Sequence, residues 1–180
     1  MNLSLYKPNS KNSGCACNFS VGKSPNGTPS FYVSAIQQHS WNDKTKKASF
    51  SQNKDNPEKN INVKFNEWEI GSIISAFNHR YEYSSYHTFN DNSTSIKFTP
   101  WDKQTKQGNT IPAFGMVLTR NGNQTFRIPL EPGETETLKS FMKKYLFVYF
   151  EETASNFKSK AKEEVDSNQG DVLDQDEAPF

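Results

Sequence analysis

The chain lacks any apolar run of 18 residues, so no segment is expected to cross a membrane. Its start, Met1-Asn2-Leu3-Ser4-Leu5-Tyr6-Lys7, lacks the apolar stretch of a signal peptide. Cysteine is scarce. Cys15 and Cys17 stand two apart, a poor disulfide pair on one predicted strand face, which suits a reducing cytoplasm. C-x-C is not the usual zinc spacing, and His39, His79 and His87 are scattered, so no metal site is expected. Gly22-Lys23-Ser24 resembles the end of a phosphate loop. Cys17 stands where that motif needs glycine, however, and Pro25 follows directly, so the segment reads as a turn. No Ser/His/Asp set or carboxylate pair can be placed. The expectation is therefore no catalytic residue, no cofactor and no enzyme.

Apolar residues make up 33%, below the ~45–50% usual for globular domains. They are unevenly spread. Residues 61–150 are rich in aromatic and β-branched types, while residues 156–180 are not and read as a disordered acidic tail. Charge is segregated too. No Lys or Arg follows Lys162. Seven of the 20 acids lie in residues 163–180, leaving residues 1–162 with all 21 bases, 13 acids and a net of +8. A basic body with a detached acidic end points to an anionic partner.

Several segments alternate with period two, as half-buried strands do. Cys15, Cys17, Phe19 and Val21 share one face of the first. Phe31 to Trp41 follows, then Ala48 and Phe50, then Ile61, Val63 and Phe65 alternating with Asn62 and Lys64. In the second half come Tyr81–Phe89, then Ile96 and Phe98, then Phe114, Met116 and Leu118, then Phe126, Ile128 and Leu130. Turns are marked by Pro25-Asn26-Gly27, Asn53–Pro57, Asn90-Asp91-Asn92 and Asn121-Gly122-Asn123.

Two helices are predicted. Asn66 is an N-cap with Glu69 three residues on, and Ile70, Ile73, Ile74 and Phe77 form the apolar stripe. The second starts near Pro132–Glu134, with Leu138, Phe141, Met142, Tyr145, Leu146 and Tyr149 as its stripe and no stripe beyond about Ala154. The order is four strands and a helix, twice. Ile61-x-Val63-x-Phe65 overlays Phe126-x-Ile128-x-Leu130, and the helix stripes overlay as well. This predicts an internal duplication, about 14–80 and 81–150, inside one domain of about 1–155.

Binding an unpaired nucleic-acid strand needs cations along the phosphates and exposed rings on which bases stack. Rings and bases interleave here. One cluster is Tyr32, Trp41, Lys44, Lys46, Lys47 and Phe50. Another is Tyr83, Tyr86, Phe89, Lys97, Trp101, Lys103 and Lys106, with Arg120 and Arg127 flanking the last hairpin. These are the candidate DNA-binding residues.

The chain ends Asp174-Gln175-Asp176-Glu177-Ala178-Pro179-Phe180. This resembles the C-terminal tip of bacterial and phage single-stranded DNA-binding proteins. There the terminal Phe fills an apolar pocket, the α-carboxylate meets an Arg or Lys at its rim, and the acids attract basic surroundings. The resemblance implies that Asp174, Asp176, Glu177, Ala178, Pro179 and Phe180 dock replication or repair proteins in a bacterial or phage-infected cytoplasm. The body resembles a different group. Two ββββα repeats with aromatic-rich strands, closing on the junctions Ile61–Phe77 and Phe126–Tyr145, are similar to the Whirly proteins. That resemblance implies an α+β fold of two antiparallel sheets, single-stranded DNA across the sheet faces, and helices that serve packing and homo-oligomerisation. The alternative fold is the OB barrel usual for the first group. The alternative function is a nucleic-acid-binding transcription regulator or RNA chaperone.

Overall fold

The computed structural model describes residues 1–169, with side chains described through Ser155. The first sheet has the order β1 (Asn2–Lys7), β2 (Cys15–Lys23), β3 (Pro29–Gln37), β6 (Asn60–Phe65). Between its last two strands sits a separate hairpin, β4 (Ser40–Asn42) and β5 (Lys47–Ser49), followed by a short turn of 3₁₀ helix at Ser51–Asn53. Helix α1 (Glu67–His79) closes the first repeat. The second repeat is a plain meander of β7 (Tyr83–Phe89), β8 (Asn92–Gln104), β9 (Thr110–Arg120) and β10 (Gln124–Leu130), closed by α2 (Pro132–Gln169). All pairings are antiparallel. Both sheets are open, so the OB barrel is set aside.

The duplication is present with shifted bounds. The pattern predicts the first repeat from about residue 14, whereas it begins at Asn2 with a strand of its own. Only Leu3 and Leu5 turn inward on β1, too short an alternation to signal a strand without its partner β2. Ala48 and Phe50, expected in the main sheet, belong to the separate hairpin and its flank. The segment from residue 156, expected to be disordered, is helical as far as Gln169. Its Lys, Glu and Ala residues have high intrinsic helix propensity, and the chain enters it from a helix already nucleated. Residues 170–180, and with them the Pro-Phe tip, lie outside the described residues.

The period-two pattern sorts the strand faces as expected. Cys15, Cys17, Phe19, Phe31, Val33, Ile61, Val63 and Phe65 line the inner face of the first sheet; Ile96, Phe98, Met116, Leu118, Phe126 and Ile128 line that of the second. Burial pushes the Cys15 thiol up to about 12 and the Cys17 thiol well above its ordinary value, so both are neutral members of the core.

The helices knit the repeats together. Phe77 of α1 stacks edge-on against Phe98 and Phe114 of the second sheet, at 5.5 and 4.8 Å between ring centres. Phe141 and Tyr145 of α2 pack on Phe31 of the first, at 5.7 and 5.3 Å. Lys7 of β1 also reaches Glu134 in the first turn of α2, at 2.5 Å. Turn chemistry sets the hairpins. Asn121 and Gly122 hold φ of 51° and 72°, Asn90 and Asp91 hold 46° and 60°, and these positive values suit the strand twist. Gly14 is needed for a close approach: a Cβ there would lie 2.6 Å from the Lys7 carbonyl oxygen.

Candidate nucleic-acid interface

Strand register fixes what the outer face of the first sheet presents. Three rows cross it from β1 to β6: Tyr6, Ala16, Ile36 and Asn60; then Ser4, Asn18, Ser34 and Asn62; then Asn2, Ser20, Tyr32 and Lys64. The middle row is hydroxyl and amide, with Ser4 donating to Asn18 at 3.0 Å and Ser34 to Asn62 at 3.2 Å. None of the twelve residues in these rows is a carboxylate. A phosphate chain can cross this face without meeting a like charge.

At the β6 edge the face turns into a cleft of about 650 Å³ between the two sheets. Tyr32, Asn62, Val63 and Lys64 form one wall; His87, Thr88, Phe89, Asn92, Thr94 and Arg120 form the other. No carboxylate is among these lining residues. Edge strands β6 and β7 each have one hydrogen-bonded neighbour, so backbone donors and acceptors border the opening. Arg120 is steadied by the carbonyls of Pro57 and Asn60, at 3.4 and 3.5 Å. Phe89 is 77% exposed, although its strand neighbours Tyr83, Ser85 and His87 on the same face lie partly covered. An apolar ring left that bare beside cations suits a stacking partner better than a core.

His87 is held from behind by α1. Its Nε2 lies 2.7 Å from Glu69 Oε1, and the other Glu69 oxygen accepts the Asn66 backbone N–H at 3.1 Å. The Glu69 N–H donates to Asn66 Oδ1 at 2.8 Å, completing the capping box that the sequence predicts. Burial would raise the Glu69 pKa, but hydrogen bonds from His87 and the Asn66 backbone overcome it and hold the carboxyl below its ordinary value. A lowered carboxyl pKa stabilises the fold at pH values above the unfolded pKa, and this contribution is lost as pH falls through the folded value. Glu69→Ala should therefore cost about 1–2 kcal/mol in urea unfolding at pH 7. The gap to wild type should narrow as pH falls below the ordinary carboxylate range and through the lowered folded pKa. A gap that stayed constant down to pH 3 would contradict this role.

No family model and no curated protein matches the chain. Solved structures do. WHY1 from Arabidopsis thaliana aligns with a TM-score of 0.56 at 12% identity, over 100% of this chain and 97% of that one. WHY3 from Arabidopsis thaliana aligns at 0.53 and 13%, covering 89% and 96%. The plant transcriptional regulator PBF-2 aligns at 0.52 and 14%, covering 87% and 86%. The chain has the Whirly fold. At such identities the likeness concerns fold alone.

On the Whirly framework the sequence-predicted residues fall into several places. Tyr32, Phe89 and Arg120 meet in the cleft. Tyr86, Lys97 and Trp101 lie on the outer face of the second sheet, but Lys97 is matched by Glu82 at 2.9 Å. That contact, above all the Lys97 hydrogen bond, holds the Glu82 pKa below its ordinary value. Lys103 is matched by Glu131 at 2.6 Å, and Lys106 stands in the exposed β8–β9 turn. Trp41, Lys44, Lys46, Lys47 and Phe50 belong to the separate hairpin and its flank, where Lys46 lies 3.7 Å from Asp43. Arg127 shares the outer face of the second sheet with Lys97, one strand beyond Val117, and borders a smaller hollow with Gly14 and Gln37.

Tyr83 is only partly exposed and is turned toward the core. It faces inward against Phe98, its hydroxyl is 3.4 Å from Glu69, and burial raises its pKa. Its period-two phase matches the buried residues of β8 opposite, a relation visible only once β7 and β8 are paired. Conversely, Lys64, Asn62 and His87 line the cleft without having been singled out for binding. Lys64 and Asn62 read only as the polar phase of a strand. Their one distinguishing signal is position, on an edge strand with Tyr32 directly opposite Lys64.

Proposed function

We propose that this protein binds single-stranded DNA without sequence preference in replication, recombination or repair. The single observation that carries the reading is the carboxylate-free cleft, where the rings of Tyr32 and Phe89 stand with Lys64 and Arg120. Rings of this kind stack on any base, and cations track a backbone whatever its sequence. The Whirly fold supports the same reading, as does the net charge of residues 1–162. The acidic end, Asp174 to Phe180, recruits replication or repair proteins and competes weakly for the cationic cleft. A homo-oligomer built through the helices is part of the reading, since Phe147 and Phe150 of α2 are 54% and 59% exposed.

A second reading, regulation of transcription through bound nucleic acid, draws on the likeness to the plant transcriptional regulator PBF-2. One titration addresses both. Fluorescence anisotropy with oligo(dT), duplex DNA and oligo(U) should rank oligo(dT) first, with log K falling by about 0.7 per phosphate contact for each decade of salt. Deleting residues 163–180 should tighten oligo(dT) binding severalfold at low salt and remove partner capture. Preference for duplex would overturn the first reading, and unchanged affinity after the deletion would overturn the competition.

A further inference from the structure

The two repeats differ at one join. Strands β9 and β10 are connected by residues 121–123, whereas β3 and β6, their counterparts, are connected by residues 38–59. That longer connection contains the β4–β5 arm. Its base is held by amide side chains, two of them buried. Gln38, 5% exposed, donates through Nε2 to the Asn9 and Ser40 carbonyls at 2.8 and 3.2 Å and accepts the Asn9 N–H at 2.9 Å. Asn53, 7% exposed, donates to the Gln37 carbonyl at 2.9 Å. Asn60 donates to the Lys54 and Asn56 carbonyls, each at 2.8 Å. A connection fixed at both ends is an architectural element.

The arm also leans on the outer face of the first sheet. Tyr6, at the β1 end of the first row, stacks on Phe50 with ring centres 5.2 Å apart and donates its hydroxyl to the Ala48 carbonyl at 3.4 Å. Tyr6 and Lys54 border a hollow of about 430 Å³ on this face, which runs over Ser34 to Asn62. Asn62 lines the inter-sheet cleft as well, so hollow and cleft adjoin at that residue. Crossing from β6 to β1 takes three inter-strand spacings, about 14 Å. The arm itself carries Lys44, Lys46 and Lys47 against Asp43 alone. Asp43 is committed to Lys46 and to the Trp41 indole N–H, at 3.7 and 3.1 Å. Lys44 and Lys47 have no carboxylate within ion-pair distance among the described residues.

The geometry points to the β4–β5 arm as a second contact for the same single strand, holding the nucleotides that leave the cleft across the first sheet. Trp41 and the Tyr6–Phe50 pair supply rings, and Lys44 and Lys47 meet phosphates. A single strand fits this path because cleft and hollow adjoin at Asn62, no carboxylate lines either of them, and the three lysines of the arm outnumber Asp43. Because the second repeat has no arm, the contact extends the bound strand in one direction only. This inference rests on the single-strand reading above.

An oligo(dT) length series separates the two. Anisotropy is measured at several salt concentrations for wild type, Trp41→Ala and the double variant Lys44→Glu, Lys47→Glu. Short oligomers that fill only the cleft should bind all three proteins alike. For oligomers long enough to reach the arm, Trp41→Ala should lose about 5- to 150-fold, the worth of one base stack. The lysine variant should reach its affinity plateau at a shorter length, with a salt slope lower by about 1.4. Equal losses at every length, or none at any length, would overturn the arm's role while leaving the cleft intact. If wild type binds no oligo(dT) of any length, the single-strand reading itself falls.

Discussion

Replacing Tyr32 and Phe89 together by alanine should lower affinity for oligo(dT) by at least about 30-fold, with the salt slope unchanged. The estimate follows from two base stacks at ~1–3 kcal/mol each. Neither ring carries charge, so the number of counterions released on binding stays constant. The two rings approach the cleft from different sheets, Tyr32 from β3 and Phe89 from the end of β7. Each single variant should therefore lose part of the affinity. The complementary pair, Lys64→Ala with Arg120→Ala, should lower the salt slope by about 1.4 and leave a weaker, less salt-sensitive complex. Equilibrium titration at three or more salt concentrations distinguishes the two outcomes. A ring double variant that binds oligo(dT) as tightly as wild type would remove the cleft from consideration, whatever else on the surface bound DNA.

Much of the fold is legible in local pattern because local physics sets it. Alternation in Phe126, Ile128 and Leu130 specifies both a strand and its buried face. Asn66 with Glu69 specifies the start of a helix through two backbone groups that need partners. Strand β1 is different. Leu3 and Leu5 carry too little alternation, and the strand exists because β2 supplies its hydrogen bonds. The arm is hidden for a related reason. Trp41, Ala48 and Phe50 have strand-like character, and nothing local says that their strands pair with each other instead of with β3. The site is less legible than the fold. A cleft between β6 and β7 arises from how two sheets are set against one another, so it gathers residues as far apart in the chain as Tyr32 and Arg120. Lysines offer a further lesson. Lys97 and Lys103 look available in the sequence, but Glu82 and Glu131 partner them in space.

Phe31→Ala should destabilise the protein by about 3–5 kcal/mol, roughly 6–20 °C in Tm, without entering the binding site. Phe31 is fully buried, and its ring meets Phe19, Phe65, Phe141 and Tyr145 at 6.4, 6.3, 5.7 and 5.3 Å. It thus joins three strands of the first sheet to the helix of the second repeat. Truncation leaves a void between layers that neither sheet can easily fill. Phe147→Ala, at a position 54% exposed, should shift stability by no more than about 0.5 kcal/mol in the monomer. The sharper control is the adjacent residue. Tyr32 follows Phe31 on the same strand and points to the opposite face, since successive side chains alternate across a sheet. Phe31→Ala should therefore lower Tm with little change in oligo(dT) affinity at temperatures where the variant is folded. Tyr32→Ala should lower affinity with little change in Tm. A one-residue slip of β3 against β2 and β6 would exchange the two faces and hence the two phenotypes. Thermal unfolding and anisotropy on the same two variants thus test the register of β3 and the location of the binding face at once, and an exchanged result would refute both.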